Sequence, residues 1–127
     1  MNPYGDTIAE HSRHPRNYGS LENPDIRSED VNPFCGDRVR VELTLHDGVV
    51  TAARFQGDLC QISKAAGSLL MQMIDGQPLD FLRGISEEEM LRALDTTIQP
   101  ARRKCALLPL AVMQSGVTAY SARRATS

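Results

Sequence analysis

Val39-Arg40-Val41-Glu42-Leu43-Thr44-Leu45-His46-Asp47-Gly48-Val49-Val50 decides the fold class. Val39, Val41, Leu43 and Leu45 alternate with Arg40, Glu42, Thr44 and His46, the period of two of a strand with one buried face. Asp47-Gly48 then reads as a two-residue hairpin turn, since Asp-Gly accepts the positive φ angles that a type I′ turn demands. Val49 to Phe55 is the returning strand, with Val50, Ala52 or Ala53, and Phe55 as its apolar positions. Gly57-Asp58 marks a further turn, and a short third strand is expected around Leu59. The front of the chain is therefore an antiparallel meander.

Downstream, the period changes. Ile62, Ala65, Ala66, Leu69, Leu70, Met73 and Ile74 follow the i, i+3, i+4 spacing of a helix, closed by Asp75-Gly76. Ser86-Glu87-Glu88-Glu89 is a capping box, flanked by Ile85 and Met90 as a hydrophobic staple. Met90, Leu91 and Leu94 form that helix's inner face. A last helix is expected from about Cys105 to Arg123, beginning close enough to Pro109 to tolerate it. Upstream, Asn2 and Pro3 are read as cap and first turn of a short helix that ends at His14-Pro15. Asn17 to Pro33, with Gly19, Pro24 and Pro33, reads as a loop. Strands followed by helices mean an α+β fold with the helices on one face of the sheet.

The chain has 127 residues, and we expect a single domain over residues 1–127, with 121–127 as a frayed tail. Net charge is −2 and aromatic residues are 5%, which argues against phosphate-driven nucleic-acid binding and against base-stacking platforms. The longest uninterrupted apolar run, Cys105 to Met113, is nine residues and contains Pro109, well short of the roughly 18 residues of a membrane span. Met1-Asn2-Pro3-Tyr4-Gly5-Asp6 has no basic or apolar leader character. Cytoplasmic localisation is expected, with no nucleic-acid and no membrane partner.

Three cysteines cannot pair off completely, and a cytoplasmic protein keeps them as thiols. Cys35 lies in the turn entering the first strand, Cys60 just before the helix near Ile62, and Cys105 at the start of the last helix. Core cysteines usually sit inside apolar periodic segments; these sit where the backbone changes direction. Helix N-termini carry partial positive charge that suits anionic sulfur, and Arg102-Arg103-Lys104 adds more before Cys105. Asp37 follows Cys35 by two residues and can face the same ion. Three thiolates and a carboxylate suit tetrahedral zinc or an iron–sulfur cluster. The gaps of 25 and 45 residues contain no C-x-x-C pair, so spacing alone favours separate buried thiols over a shared site.

Four stretches carry a family resemblance over nearly the whole chain. Ile8-Ala9-Glu10-His11-Ser12-Arg13-His14-Pro15-Arg16-Asn17-Tyr18-Gly19 resembles the opening I-x-E-H-x-x-x-P-R-N-x-G of the SufU/IscU/NifU-N-terminal family of iron–sulfur cluster assembly scaffolds. Asn32-Pro33-Phe34-Cys35-Gly36-Asp37 is similar to its N-P-x-C-G-D, and Phe55 to Ser63 to its F-x-G-x-G-C-x-I-S. Pro100 to Leu108 is similar to P-x-R-x-K-C-A-x-L of the SufU branch. The resemblance implies a NifU-like three-stranded antiparallel sheet with four to five helices on one face. It implies that Cys35, Asp37, Cys60 and Cys105 ligate zinc or a transient [2Fe-2S] cluster. It further implies sulfur transfer from a cysteine desulfurase partner and delivery to recipient apo iron–sulfur proteins.

Departures from the family pattern shape the competing functions. Leu59 replaces the usual glycine before the second cysteine, and a different turn is expected there. Lys104 stands where the IscU branch has a ligand-capable His, which puts more weight on Asp37. Ile98-Gln99-Pro100-Ala101-Arg102 replaces L-P-P-V-K, the stretch that chaperones recognise. The leading expectation is a cluster scaffold and sulfur acceptor, with Cys105 as principal acceptor on a mobile Thr96–Lys104 loop. The alternatives are a zinc-dependent sulfurtransferase that relays persulfide without building a cluster, and a structural-zinc binding module. Any enzymatic role is at most sulfur transfer. His11 and His14 are read as an exposed polar face, His46 as solvated, and Met71, Met73 and Met90 as core.

Overall fold

The computed structural model describes residues 4–33 and 36–125. The expected roles of Asn2 and Pro3 and the position of Cys35 lie outside the described residues, as do residues 126–127 of the tail expected to fray, whereas its residues 121–125 continue the last helix. The elements are α1 (Asp6–Arg13), β1 (Ile26–Asn32), β2 (Asp37–His46), β3 (Val49–Asp58), α2 (Gln61–Ile74), α3 (Leu79–Gly84), α4 (Glu87–Ala93), a 3₁₀ turn (Pro100–Arg102) and α5 (Arg103–Ala125). The three strands form an antiparallel sheet in the order β1-β2-β3. α2 packs beneath β3 and α5 beneath β1 and β2, with α1 on α2 and α3 and α4 on α5.

The hairpin forms as its alternation dictates. Val39, Val41 and Leu43 are completely buried, and Asp47 and Gly48 take φ of 52° and 75° in the connecting turn. β3 also settles the choice between Ala52 and Ala53. Thr44 pairs with Ala52 while Leu45 pairs with Val50, so Thr51 is an extra, bulged residue. The bulge reverses the parity of the strand. Val50 points inward before it, and Ala53 and Phe55 point inward after it. β3 runs on through Gly57-Asp58 instead of turning there, and no strand forms at Leu59.

The third strand is β1, within the segment read as a loop. Its inward positions explain why it was hidden: Ile26 is the one large apolar residue, followed by Ser28. α5 leaves room for nothing larger, since a Cβ on Gly116 would lie 2.8 Å from Ser28 Cβ and 2.9 Å from Ile26 Cγ2. An edge strand pressed this closely onto a helix needs small residues where a freestanding strand shows valine or leucine.

The helices follow the sequence with shifts at their ends. α1 starts at Asp6 behind Gly5, three residues later than expected from Pro3. Ser86 and Glu89 form the reciprocal capping box, and Ile85 and Met90 are buried as its staple. α5 starts at Arg103, so Pro109 sits in its second turn and cannot donate an N–H to the Cys105 carbonyl. By length and composition Pro100–Arg124 is also apolar enough to cross a membrane, which the run-length reading missed. Half of its most apolar 18-residue window is buried inside the protein, as befits the core helix of a small domain.

Candidate metal centre

Three element ends meet at one corner of the sheet. Asp37 is the first residue of β2, Cys60 is the N-cap of α2, and Cys105 lies in the first turn of α5. The Arg38–Asp58 pairing sets the start of β2 beside the end of β3, from which the chain runs through Leu59 into α2. One glycine makes that crossing possible. A Cβ on Gly57 would lie 1.9 Å from the Arg38 carbonyl oxygen, so any side chain would force the strands apart. Leu59 keeps an ordinary negative φ, and the turn before Cys60 depends on Gly57 instead.

The ligand atoms of Asp37, Cys60 and Cys105 all lie within 4.8 Å of one another. A tetrahedral ion with zinc–sulfur bonds of about 2.3 Å needs sulfur–sulfur edges of about 3.8 Å, so the side chains have roughly an ångström to close. Two soft thiolates and one carboxylate are a donor set that suits zinc or a small iron–sulfur cluster. The set fits on both counts. Cys35 precedes Gly36 in the four-residue connection from β1 to β2 and lies outside the described residues.

Hydrogen bonds hold the corner together. The Cys60 N–H donates to Asp37 Oδ1 at 3.1 Å, and the Ser63 hydroxyl donates to Asp37 Oδ2 at 2.7 Å. The Ser63 N–H donates to Cys60 Sγ at 3.5 Å, so the sulfur itself caps α2. Asp37 is 4% exposed. Cys105 is 1% exposed whereas Cys60 is half-buried, so the expected principal acceptor is the less accessible of the two. The segment before Cys105 is also stiffer than expected: Pro100–Arg102 is a 3₁₀ turn and Arg103 and Lys104 are already helical, leaving Asp95–Gln99 irregular. Arg102 hydrogen-bonds the Cys105 thiol. The nearby Tyr4, then that bond and the Cys60 sulfur, hold the guanidinium above its ordinary pKa.

The histidines are not brought to this corner. His11 is buried, which corrects its reading as exposed. Its Nδ1 lies 2.7 Å from Ser68 Oγ on α2, and that hydroxyl already accepts the Arg16 N–H at 2.8 Å. We assign the Ser68 proton to Nδ1 of a neutral ring. Burial first, then the charge of Arg16, depresses the His11 pKa, with Glu10 opposing. An unfolded histidine takes up its proton near pH 6.5, whereas the folded one does so only at lower pH. Stability is therefore unaffected by His11 above that value and falls as the pH drops through the window between the two. Tm measured from pH 7.5 down to 5.5 should decline, and His11→Asn, which keeps an acceptor for Ser68 without titrating, should flatten part of the decline. An identical slope in both proteins would contradict the assignment.

Ser63 closes the second cysteine motif, and its position three residues after Cys60 is the signal in the sequence for its place at this corner. Lys104 is exposed and lines an apolar groove of about 340 Å³ with Val31, Pro33, Leu107 and Leu108.

Known proteins share the sequence pattern and the fold. The sequence pattern of the NifU-like N terminal domain matches residues 3–127. The zinc-dependent sulfurtransferase SufU of Bacillus subtilis (strain 168) is 33% identical over 90% of this chain and 88% of its own length. The iron–sulfur cluster assembly scaffold protein IscU of Escherichia coli (strain K12) is 27% identical over 95% and 96%. Among solved structures, the N-terminal part of a NifU-like protein from Brucella abortus superposes with a TM-score of 0.77 at 21% identity, covering 93% of this chain and 94% of that one. At that identity the likeness speaks for the fold alone. With a sheet of three antiparallel strands, five helices and a pattern match spanning nearly every residue, the chain belongs to the NifU-like N-terminal domain family.

Proposed function

We propose that this protein is an iron–sulfur cluster assembly scaffold and sulfur acceptor that works with a cysteine desulfurase and passes its product to apo iron–sulfur proteins. The observation that carries this reading is the convergence of Asp37, Cys60 and Cys105 from three separate elements to within 4.8 Å. Cys35, two residues before Asp37, supplies the fourth ligand in this reading. Bound zinc would keep the thiols deprotonated and held in place until a partner displaces it. The chain's own residues do the rest. Cys60 and Cys105 present sulfur, Asp37 presents the one hard oxygen donor, and Arg102 places a positive charge beside Cys105. Such chemistry belongs in a reducing compartment such as the cytoplasm.

A second reading, a zinc-dependent sulfurtransferase that relays persulfide without building a cluster, is favoured by the relationship to the B. subtilis protein and by Lys104, an ammonium where a third kind of ligand could have stood. A purely structural zinc site is disfavoured, since structural sites are closed sets of Cys and His and this one includes a carboxylate. Metal analysis and a desulfurase assay separate the three. An iron–sulfur absorption spectrum after anaerobic reconstitution supports the scaffold. Stoichiometric zinc with faster desulfurase turnover and no reconstituted cluster supports the relay. Zinc with no effect on the desulfurase leaves only the structural role.

A further inference from the structure

We propose that Ser63 is the positioning residue of this centre, its hydroxyl holding the Asp37 carboxylate in the orientation from which it binds a metal ion. The inference rests on the reading of Asp37, Cys60 and Cys105 as ligands and adds a residue which that reading does not contain.

Ser63 is completely buried at the third position of α2. Its Oγ lies 2.7 Å from Asp37 Oδ2 but 3.3 Å from both Cys60 Sγ and the Cys60 carbonyl oxygen. A hydroxyl has one proton. The shortest contact, and the one to a charged acceptor, takes it. The main chain completes the arrangement. Cys60 N–H holds the other carboxylate oxygen, and Ser63 N–H points at Cys60 Sγ. The side chain and amide of Ser63 therefore touch two of the three ligand groups at once. Asp37 cannot rotate its carboxylate without losing a bond at each oxygen. A carboxylate has about four acceptor sites, so both bonds can persist while an ion takes another. The first turn of α2 thus works as a clamp that sets the carboxylate against the Cys60 sulfur before any ion arrives.

Hydrogen bonds of this kind to a ligating carboxylate typically support 10–100-fold in metal affinity. Zinc affinity of the full chain, measured by competition with a chromophoric chelator, should fall by about that factor in Ser63→Ala. The visible spectrum of the cobalt-substituted protein should shift, reporting a changed oxygen ligand. In an Asp37→Ala background, Ser63→Ala should add almost nothing, because the residue acts through Asp37. An equal loss in both backgrounds, or unchanged affinity in Ser63→Ala, overturns the proposal. If Ser63→Ala fails to keep its far-ultraviolet circular dichroism, carbon NMR of the unaltered protein decides instead. Zinc addition should then shift the Asp37 carboxyl and Ser63 Cβ resonances together. A shift of the Asp37 signal alone overturns the role of Ser63, whereas a parent protein that takes up no zinc overturns the ligand reading itself.

Discussion

Cys105→Ser is expected to abolish stable sulfur loading by a cysteine desulfurase, with persulfide label on the parent protein concentrated at Cys105. The reaction needs no added oxidant. The Cys105 thiolate attacks the outer sulfur of the desulfurase persulfide, a new S–S bond forms as the old one breaks, and the desulfurase thiolate leaves. Two features favour this residue. It lies in the first turn of α5, where the helix dipole favours anionic sulfur, and Arg102 bonds its sulfur. Its burial adds a condition, because a thiol that is 1% exposed cannot meet a partner's persulfide in this conformation. The thiol must therefore be uncovered before it reacts, so loading should be slower than the reaction of an exposed cysteine. Label spread evenly over the cysteines, or sulfur loading that survives Cys105→Ser, would refute the assignment.

Asp37→Ala should produce two effects of opposite sense. The fold should lose stability, because Cys60 N–H and the Ser63 hydroxyl each lose a buried acceptor, at about 1–3 kcal/mol for a group left unsatisfied. Any reconstituted cluster should nonetheless last longer. The carboxylate is the one hard donor among soft sulfurs, and so the ligand that opens first to an incoming thiol. With a thiol from the reconstitution mixture in its place, release must begin at an iron–thiolate bond. A tenfold slowing corresponds to about 1.4 kcal/mol on the release barrier. Denaturant unfolding measures the first effect and the decay of cluster absorbance the second. A cluster that decays faster than in the parent would show that Asp37 secures the cargo instead of releasing it.

Much of this architecture is legible in the residue pattern, because it rests on local physics. Alternation fixes the inner face of β2, Asp47-Gly48 fixes the hairpin, and Ser86 with Glu89 fixes the start of α4; each needs only neighbours in the chain. The placement of three cysteines at turns, with the four motifs around them, likewise marks out a shared chemistry before any packing is known.

Tertiary structure decided what depends on distant residues. β1 is a strand because α5 and β2 enclose it, and its Ser28 is small because Gly116 lies against it, a contact that no window of sequence contains. The parity of β3 turns on a bulged Thr51 that only pairing with Thr44 reveals. His11 looks like surface until Ser68 closes over it from α2. Asp37 looks like an exposed turn residue until Cys60 N–H and the Ser63 hydroxyl bind its two oxygens from 23 and 26 residues away. Sequence determines which side chains can do chemistry and where the backbone turns. The identity of the group that holds a ligand in place is a property of packing, because hydrogen bonds between elements form only once those elements have met.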